Sequence, residues 1–424
     1  MSLESLASTI QAKSAQLAAI AKEHGFEATL DTSAELTSVA PLAVRNELIQ
    51  AAKDLLYLAS GPTDHVLGLA WSAADTSNID LLTRFEVPQH VPLTSSISIP
   101  ALSTATNLPE DILYRATRFA IANGVFTEPA PYEIAHSPAS RALATTPHLR
   151  NIVHFGTEFL GNILMKIPEQ MLIQRDGAGV GDKVPDTAFN LAYRTDQNLF
   201  DFFAGSKDLN RKYHEYLMGR VNTPLWSMDR LRAAWDWERL AGGTIVDVGG
   251  SSGHTALTIA PLAPTATFIV QDNNADALAM GRKLILSTGD AARQDQISFM
   301  KHNFFEDQPV AADAYIFRHI LHDWNDADSL AIIKALVPAL KEGSRVFVSE
   351  GLLSDPPAKR LNTLTDKMIV IEDQFMLAAH NARERTVADF ERIFTQASER
   401  FRLVGVTSGA QAGAFQSLLE FQYQ

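Results

Sequence analysis

The chain predicts a two-part protein: an α/β Rossmann-like domain with a doubly wound sheet, preceded by a mostly helical domain. Three observations carry this. From residue 241 onward, short apolar runs alternate with helical patterns. One of those runs breaks into a glycine turn just after a buried-looking acid, Asp247. The first 240 residues show helical periodicity almost throughout.

The N-terminal part opens with two helical stretches, residues 2 to 24 and 43 to 60. Leu3, Leu6, Ile10, Leu17 and Ile20 line one face of the first. Both carry more apolar surface than a solvated helix needs, so they pack on the chain or on a second copy. Residues 64 to 84 continue helically until Val87-Pro88 breaks the pattern.

From Ser96 to Arg150 a small helix is followed by a turn, Asn107-Leu108-Pro109-Glu110. A longer helix and a hairpin from Gly124 to Ile134 come next. That order reads as a winged helix. Its second helix carries Arg115 and Arg118 beside Glu110 and Asp111, and no lysine occurs from Asp80 to Arg150. A DNA-reading surface needs a basic patch, so dimerisation is the better use. Residues 1–150 are taken as this domain.

Residues 151–240 read as a helical linker and substrate-pocket region, rich in aromatics: Phe155, Phe159, Phe200, Tyr216, Trp226, Trp235 and Trp237 among them. Gln174 to Pro185, with three glycines and few apolar residues, reads as an exposed loop.

Residues 241–424 form the α/β domain. Its strands are placed at Ile245–Val248, Thr267–Gln271, Ile297–Lys301, Ala314–Leu321, Arg345–Glu350, Phe401–Thr407 and Phe415–Tyr423. In such sheets ligands bind beyond the carboxyl ends of the strands.

The turn Asp247-Val248-Gly249-Gly250-Ser251-Ser252-Gly253 sits on that edge. No frame matches the G-x-G-x-x-G of dinucleotide sites. Gly249, Ser251 and Gly253 match the G-x-S-x-G of a hydrolase elbow. The S-adenosylmethionine (SAM) pattern, an acid followed by alternating glycines, fits Asp247, Gly249 and Gly253, with Ser251 in the middle glycine's place. Roughly twenty residues on, the next strand ends at Asp272, where an acid can accept from both hydroxyls of a ribose. A hydrolase has no use for that acid, so SAM ranks first.

The fourth strand ends in Arg318-His319-Ile320-Leu321-His322-Asp323-Trp324, and the fifth in Ser349-Glu350. Adjacent strands bring His322 and Glu350 to one edge; Glu384 opens a later helix. An imidazole near neutral pKa removes a proton from a phenol or enol, and a carboxylate beside it fixes its tautomer. A metal site at His319, His322 and Asp323 is disfavoured, because strand alternation puts the two histidines on opposite faces.

Composition narrows the classes. Net charge is −13, which is unsuited to phosphate backbones or anionic membranes. Cysteine is absent, which excludes disulfides, thiolate metal sites and cysteine nucleophiles. No apolar stretch reaches a bilayer span, and the N-terminus lacks a signal pattern, so a cytoplasmic protein without membrane, nucleic-acid or metal partners is expected.

The run from Thr244 to Phe390 resembles the methyltransferase domain of plant-type and fungal secondary-metabolite O-methyltransferases. The pieces that match are Val246-Asp247-Val248-Gly249-Gly250, Val270-Gln271-Asp272, His302-Asn303-Phe304-Phe305, Leu321-His322-Asp323-Trp324, Ser349-Glu350 and Glu384-Arg385-Thr386. The resemblance implies a winged-helix-like dimerisation domain, a homodimer and SAM as cofactor. It implies that Gly249 and Gly250 approach the methionine part of SAM, with Ser251 and Gly253 completing the turn. Asp272 would hold the ribose, Asn303 and Phe304 would flank the adenine, and Arg318 would take the place of a lysine near the cofactor. His322 would be the general base, bracketed by Glu350 and Glu384 with Asp323 beside it. Met376 and Asn381 would line the acceptor pocket.

The expected activity is methylation of a phenol, enol or N-hydroxyl of a small secondary metabolite. The alternative is a SAM-bound pericyclase or dehydratase of the same fold. Ser251, Asn303 and His319 depart from the family, which has glycine, an acid and commonly tryptophan at those places.

Overall fold

The computed structural model describes residues 1–32, 34–176, 187–354, 364–409 and 415–424. Most of the loop expected at Gln174 to Pro185 lies outside them. Among the described residues no helix is long and apolar enough to cross a membrane. The chain forms two compact units: residues 1–165 with 205–224, and residues 166–204 with 225–424. Residues 151–240 are thus divided between the two.

The first unit begins with helix Leu3–Glu23, started by a capping box in which Ser2 and Ser5 satisfy each other's backbone amides. Leu6 and Leu17 are buried on it, whereas Leu3 is exposed. Helix Leu42–Arg84 is broken in direction at Gly61, whose φ of 77° is left-handed, followed by Pro62. The three-stranded sheet comprises β1 (Ile97–Ser98), β2 (Phe126–Ala130) and β3 (Glu133–His136), in the order β1-β3-β2. Helices Ile99–Thr106 and Glu110–Ala122 lie between β1 and β2 in sequence. Leu82, Val87, Ile99, Leu102, Leu113, Phe126 and Ile134 form their shared core. Elsewhere in the unit Phe155 stacks on Phe159 and on Tyr216, with centroids 5.0 and 4.6 Å away. These sequence-noted aromatics are therefore core.

The second unit holds a seven-stranded sheet: β4 (Thr244–Val248), β5 (Thr267–Asp272), β6 (Ile297–Lys301), β7 (Ala314–Arg318), β8 (Arg345–Gly351), β9 (Phe401–Thr407) and β10 (Gln416–Tyr423). Their order is β6-β5-β4-β7-β8-β10-β9. The first five run parallel, and β10 is antiparallel to both neighbours. Strands buried on both faces read as continuous apolar runs, which is why Tyr315–Phe317 and Val346–Val348 do. One face packs Val246, Phe317, Ile332, Val348 and Phe394, the other Trp237, Ile259, Phe268, Ile316 and Phe347. The order reverses direction at β4, so the carboxyl ends of β4, β5, β7 and β8 make the ligand crevice.

One boundary differs from the sequence expectation. β7 stops at Arg318, not at Leu321, because His319 adopts a left-handed φ of 52° and residues 321–323 close into a 3₁₀ turn. Alternation therefore does not extend to His322, and the two histidines are not set on opposite faces of a strand. The two rings face each other with centroids 5.2 Å apart.

Candidate active site

The glycine turn follows β4. Gly249 and Gly253 have φ of 69° and 82°, where glycine is at ease. A Cβ on Gly249 would lie 2.5 Å from Ile320 Cδ1, and one on Gly250 would lie 2.5 Å from the Asp247 carboxylate. The turn is therefore a cradle that a side chain would fill. Phe304 packs over Gly249. Asp272 ties the turn to β5: its carboxylate accepts from Ser251 N at 2.9 Å and from Asn274 N at 2.8 Å.

Asp247 lies under this turn, and its Oδ2 makes no hydrogen bond with the described residues. Burial raises its pKa to about 7, against the pull of the Arg318 guanidinium and the Ala256 amide. A buried carboxyl oxygen with no partner, beside a glycine cradle, is what a cationic amino-acid moiety would complete. The residues present therefore fit SAM. Asn303 turns its side chain back on its own loop: Oδ1 accepts from Phe305 N at 3.2 Å.

His322 and its supports form the second half of the site. His322 Nδ1 lies 2.8 Å from Glu384 Oε1, and both side chains are nearly sealed from solvent. A carboxylate there fixes the proton on Nδ1 and leaves Nε2 as the nitrogen that can accept one. Burial works against the imidazolium, but Glu384, Asp323 and Glu350 outweigh it, so the His322 pKa is pushed up to about 10. Burial likewise raises Glu384, opposed by His322. The two share one proton tightly. The direction that holds is a histidine made more basic by a carboxylate in direct contact.

Glu350 does not reach the imidazole. Its Oε1 accepts from the backbone amides of Ile320, Leu321 and His322, at 3.2, 2.7 and 3.3 Å. The expectation that Glu350 and Glu384 bracket the ring is corrected accordingly: Glu384 orients the ring, and Glu350 fastens the turn that carries it. The cause is the early end of β7, which points three amides at the neighbouring strand's carboxylate. Asp323 Oδ1 lies 3.6 Å from His322 Nε2. Met376 is buried, while Asn381 is exposed and left-handed at φ 52°, ending helix Leu364–His380. That turn brings Glu384 back to His322.

Several residues escaped the sequence reading. Arg385 is fully buried and donates to Leu321 O at 2.6 Å, Trp324 O at 2.7 Å and Asp326 Oδ1 at 3.0 Å. It clamps both sides of the His322 turn. The signal was its place directly after Glu384. Gln416 approaches His319 at 2.6 Å, and Phe415 stacks on the same ring. Phe200 stacks on His380. No sequence period announced either contact.

Among the described residues no histidine hydrogen-bonds the Ser251 hydroxyl, so the pair a hydrolase needs is not assembled. Nor do the described His, Cys, Asp and Glu side chains form a group of three or more suited to a metal ion.

Residues 176–400 match the O-methyltransferase domain family. The chain belongs to that family. It is a SAM-dependent O-methyltransferase, with relatives in fungal secondary metabolism. The O-methyltransferase aoiF of Aspergillus oryzae is 29% identical over 89% of this chain and 88% of that protein. The methyltransferase also shares its fold with the crystal structure of OxaC in complex with SAH and oxaline, at TM-score 0.74 and 21% identity over 99% of this chain and 100% of that one. A structure titled as a pericyclic reaction enzyme matches at TM-score 0.74 and 20% identity, over 98% of this chain and 100% of that one.

Proposed function

We propose that this methyltransferase acts on a phenolic, enolic or N-hydroxyl oxygen of a small secondary metabolite, with His322 as general base. The observation that carries this is the 2.8 Å contact between His322 Nδ1 and Glu384 Oε1, on the sheet edge that also bears the glycine turn. Gly249, Gly250, Ser251, Gly253, Asp247 and Asp272 would hold SAM, with Asn303, Phe304 and Arg318 around it. When bound, SAM supplies an electrophilic methyl group on a sulfonium centre.

His322 Nε2 takes the acceptor's proton, and the oxygen left behind becomes a strong nucleophile. Glu384 stabilises the imidazolium so formed and keeps the ring in one tautomer. Glu350 and Arg385 hold the turn, so Nε2 is placed before the acceptor arrives. Asp323 lies on the Nε2 side, and Met376 and Asn381 belong to the acceptor end of the site. The protein works as a homodimer: Leu56, Val66, Leu69 and Trp71 leave an exposed apolar stretch on helix Leu42–Arg84 that a second copy would cover. Light scattering at twice the chain mass is the expected result; a monomer ends that part of the reading.

The test uses SAM labelled in its methyl group, a panel of phenols, enols and N-hydroxy indoles, and His322→Ala beside the wild type. Label transfer that the variant loses supports the reading. Substrate isomerised or dehydrated with no label transferred would give the site to the pericyclase or dehydratase alternative instead.

A further inference from the structure

Asp323 Oδ1 stands between two imidazoles. It is 3.6 Å from Nε2 of His322 and 3.6 Å from Nε2 of His380. With Glu384 on the far side of His322, four side chains make a chain: Glu384, His322, Asp323, His380. Three of its members have been given work above. His380 has none, although its side chain is only 9% exposed and its ring is held in place by stacking on Phe200, centroids 5.1 Å apart. Phe200 in turn stacks near Trp324, the residue after Asp323.

We propose that His380 is a positioning residue for methyl transfer, holding the Asp323 carboxylate against the Nε2 edge of His322. The inference rests on the reading of His322 as the base. Its physical ground is geometric. Asp323 sits on a short 3₁₀ turn and its side chain is 15% exposed, so its own backbone does not fix where the carboxylate points. A neutral imidazole turning its Nε2–H edge to the same oxygen at 3.6 Å, longer than a hydrogen bond, orients it from the other side through its dipole. Burial keeps His380 in that neutral form, by lowering its pKa against the pull of Asp323. A charged His380 would compete with His322 for the same oxygen; a neutral one only orients it.

The groups facing His322 are Glu384 from the segment after helix Leu364–His380, Glu350 from the end of β8, His319 and Asp323 from its own turn, and His380 from the last turn of that helix. Glu350 and His319 are untouched by a change at His380. Among the described residues Asp323 stands 3.6 Å from each of the two imidazoles, so most of the effect of removing His380 is expected to pass through it.

The experiment is a histidine NMR titration of the full chain without added cofactor, on four variants and their combinations. Asp323→Asn should lower the His322 pKa by about one unit or more, since an opposite charge at this range is lost. His380→Phe keeps the ring on Phe200 but has no N–H, and should lower it in the same direction. The double variant should move it no further than Asp323→Asn alone. His380→Gln retains an N–H donor and should restore most of the wild-type value. Glu384→Gln should add to His380→Phe in full, because it acts on the other nitrogen. If His380→Phe does not fold, His380→Met fills the same space without a donor. A His322 titration unmoved by His380→Phe, or a shift that adds in full to that of Asp323→Asn, overturns the proposal. The pH profile of methyl transfer by the same variants separates the two readings. NMR shifts that the profile follows support both. NMR shifts without a matching profile support the placement of Asp323 by His380 and remove His322 as the base.

Discussion

Glu384 reaches His322 from a distant stretch of chain, and the two meet at 2.8 Å between Oε1 and Nδ1. Helix Leu364–His380 stops at left-handed Asn381, and the Glu384 amide is then caught by Asp373 at 2.9 Å. Glu384 is thus held at its backbone before its side chain is used. A residue placed in this way is expected to control reactivity more than folding.

Replacing His322 should slow turnover sharply while sparing cofactor binding. Loss of a positioned base lowers the rate about 10²- to 10⁴-fold. His322→Ala is expected to fall in that range for kcat with saturating SAM. Its affinity for S-adenosylhomocysteine, measured by calorimetry, should stay within about threefold, a change below 1 kcal/mol. A comparable loss of cofactor affinity would mean that the histidine belongs to the SAM pocket.

The pH dependence follows from the same pair. His322 must be neutral at Nε2 to accept a proton, and its pKa is raised, to about 10. kcat/KM for a phenol should therefore rise with pH above 7. Removing the carboxylate removes the largest influence that favours the imidazolium, so Glu384→Gln should shift the rising limb to lower pH. Its plateau should also drop, by about tenfold or more, since a less basic histidine is a weaker base. A limb that stays in place, or moves to higher pH, contradicts this electrostatic account.

Much of this site is legible in the residues. The glycine turn, Asp272 and the alternation of strands point to the ligand edge, and His322 follows the end of β7 while Glu350 lies at the end of its neighbour β8. What is hidden is where a strand stops. Nothing in Ala314 to Leu321 marks His319 as left-handed, since Tyr315, Ile316, Phe317 and Ile320 around it are good strand formers. That single dihedral decides that three amides, and not an imidazole, meet Glu350. Contacts such as Phe200 on His380 join segments far apart in sequence, and no local period encodes them.

Arg385 offers a test of the turn itself. Its guanidinium donates to two carbonyls of the 321–324 turn. Without it Leu321 O keeps Trp324 N and Ser329 Oγ as donors, and Trp324 O keeps Ser329 Oγ, all at the longer distance of 3.2 Å. Arg385→Met should cost about 1.5–3 kcal/mol, the scale of hydrogen bonds from a charged donor, because the short contacts to Leu321 O and Trp324 O are lost. Urea unfolding is the measurement. At temperatures where the variant is folded, kcat should fall while the KM for SAM changes little, because the glycine turn does not depend on this clamp.

Asp247 gives the last prediction, and its sign runs opposite to that of a salt-bridged acid. Its pKa in the folded chain is raised to about 7 by burial. The folded state therefore holds a proton that the unfolded chain gives up near the usual carboxylate value. Stability is lost as pH climbs from about 4 to about 7, the window between the two values. Asp247→Asn carries no charge and escapes that loss. In the absence of cofactor, the variant and the wild type should differ by a constant amount below pH 4. The balance should then move in favour of the variant up to pH 8. S-adenosylmethionine, carrying positive charge, should bind the wild type more tightly as Asp247 ionises, and the variant without that pH dependence. Thermal melts across pH 4 to 8, with and without the cofactor, read both effects together. A wild type whose stability relative to Asp247→Asn ignores pH would show that Asp247 is already ionised under the turn.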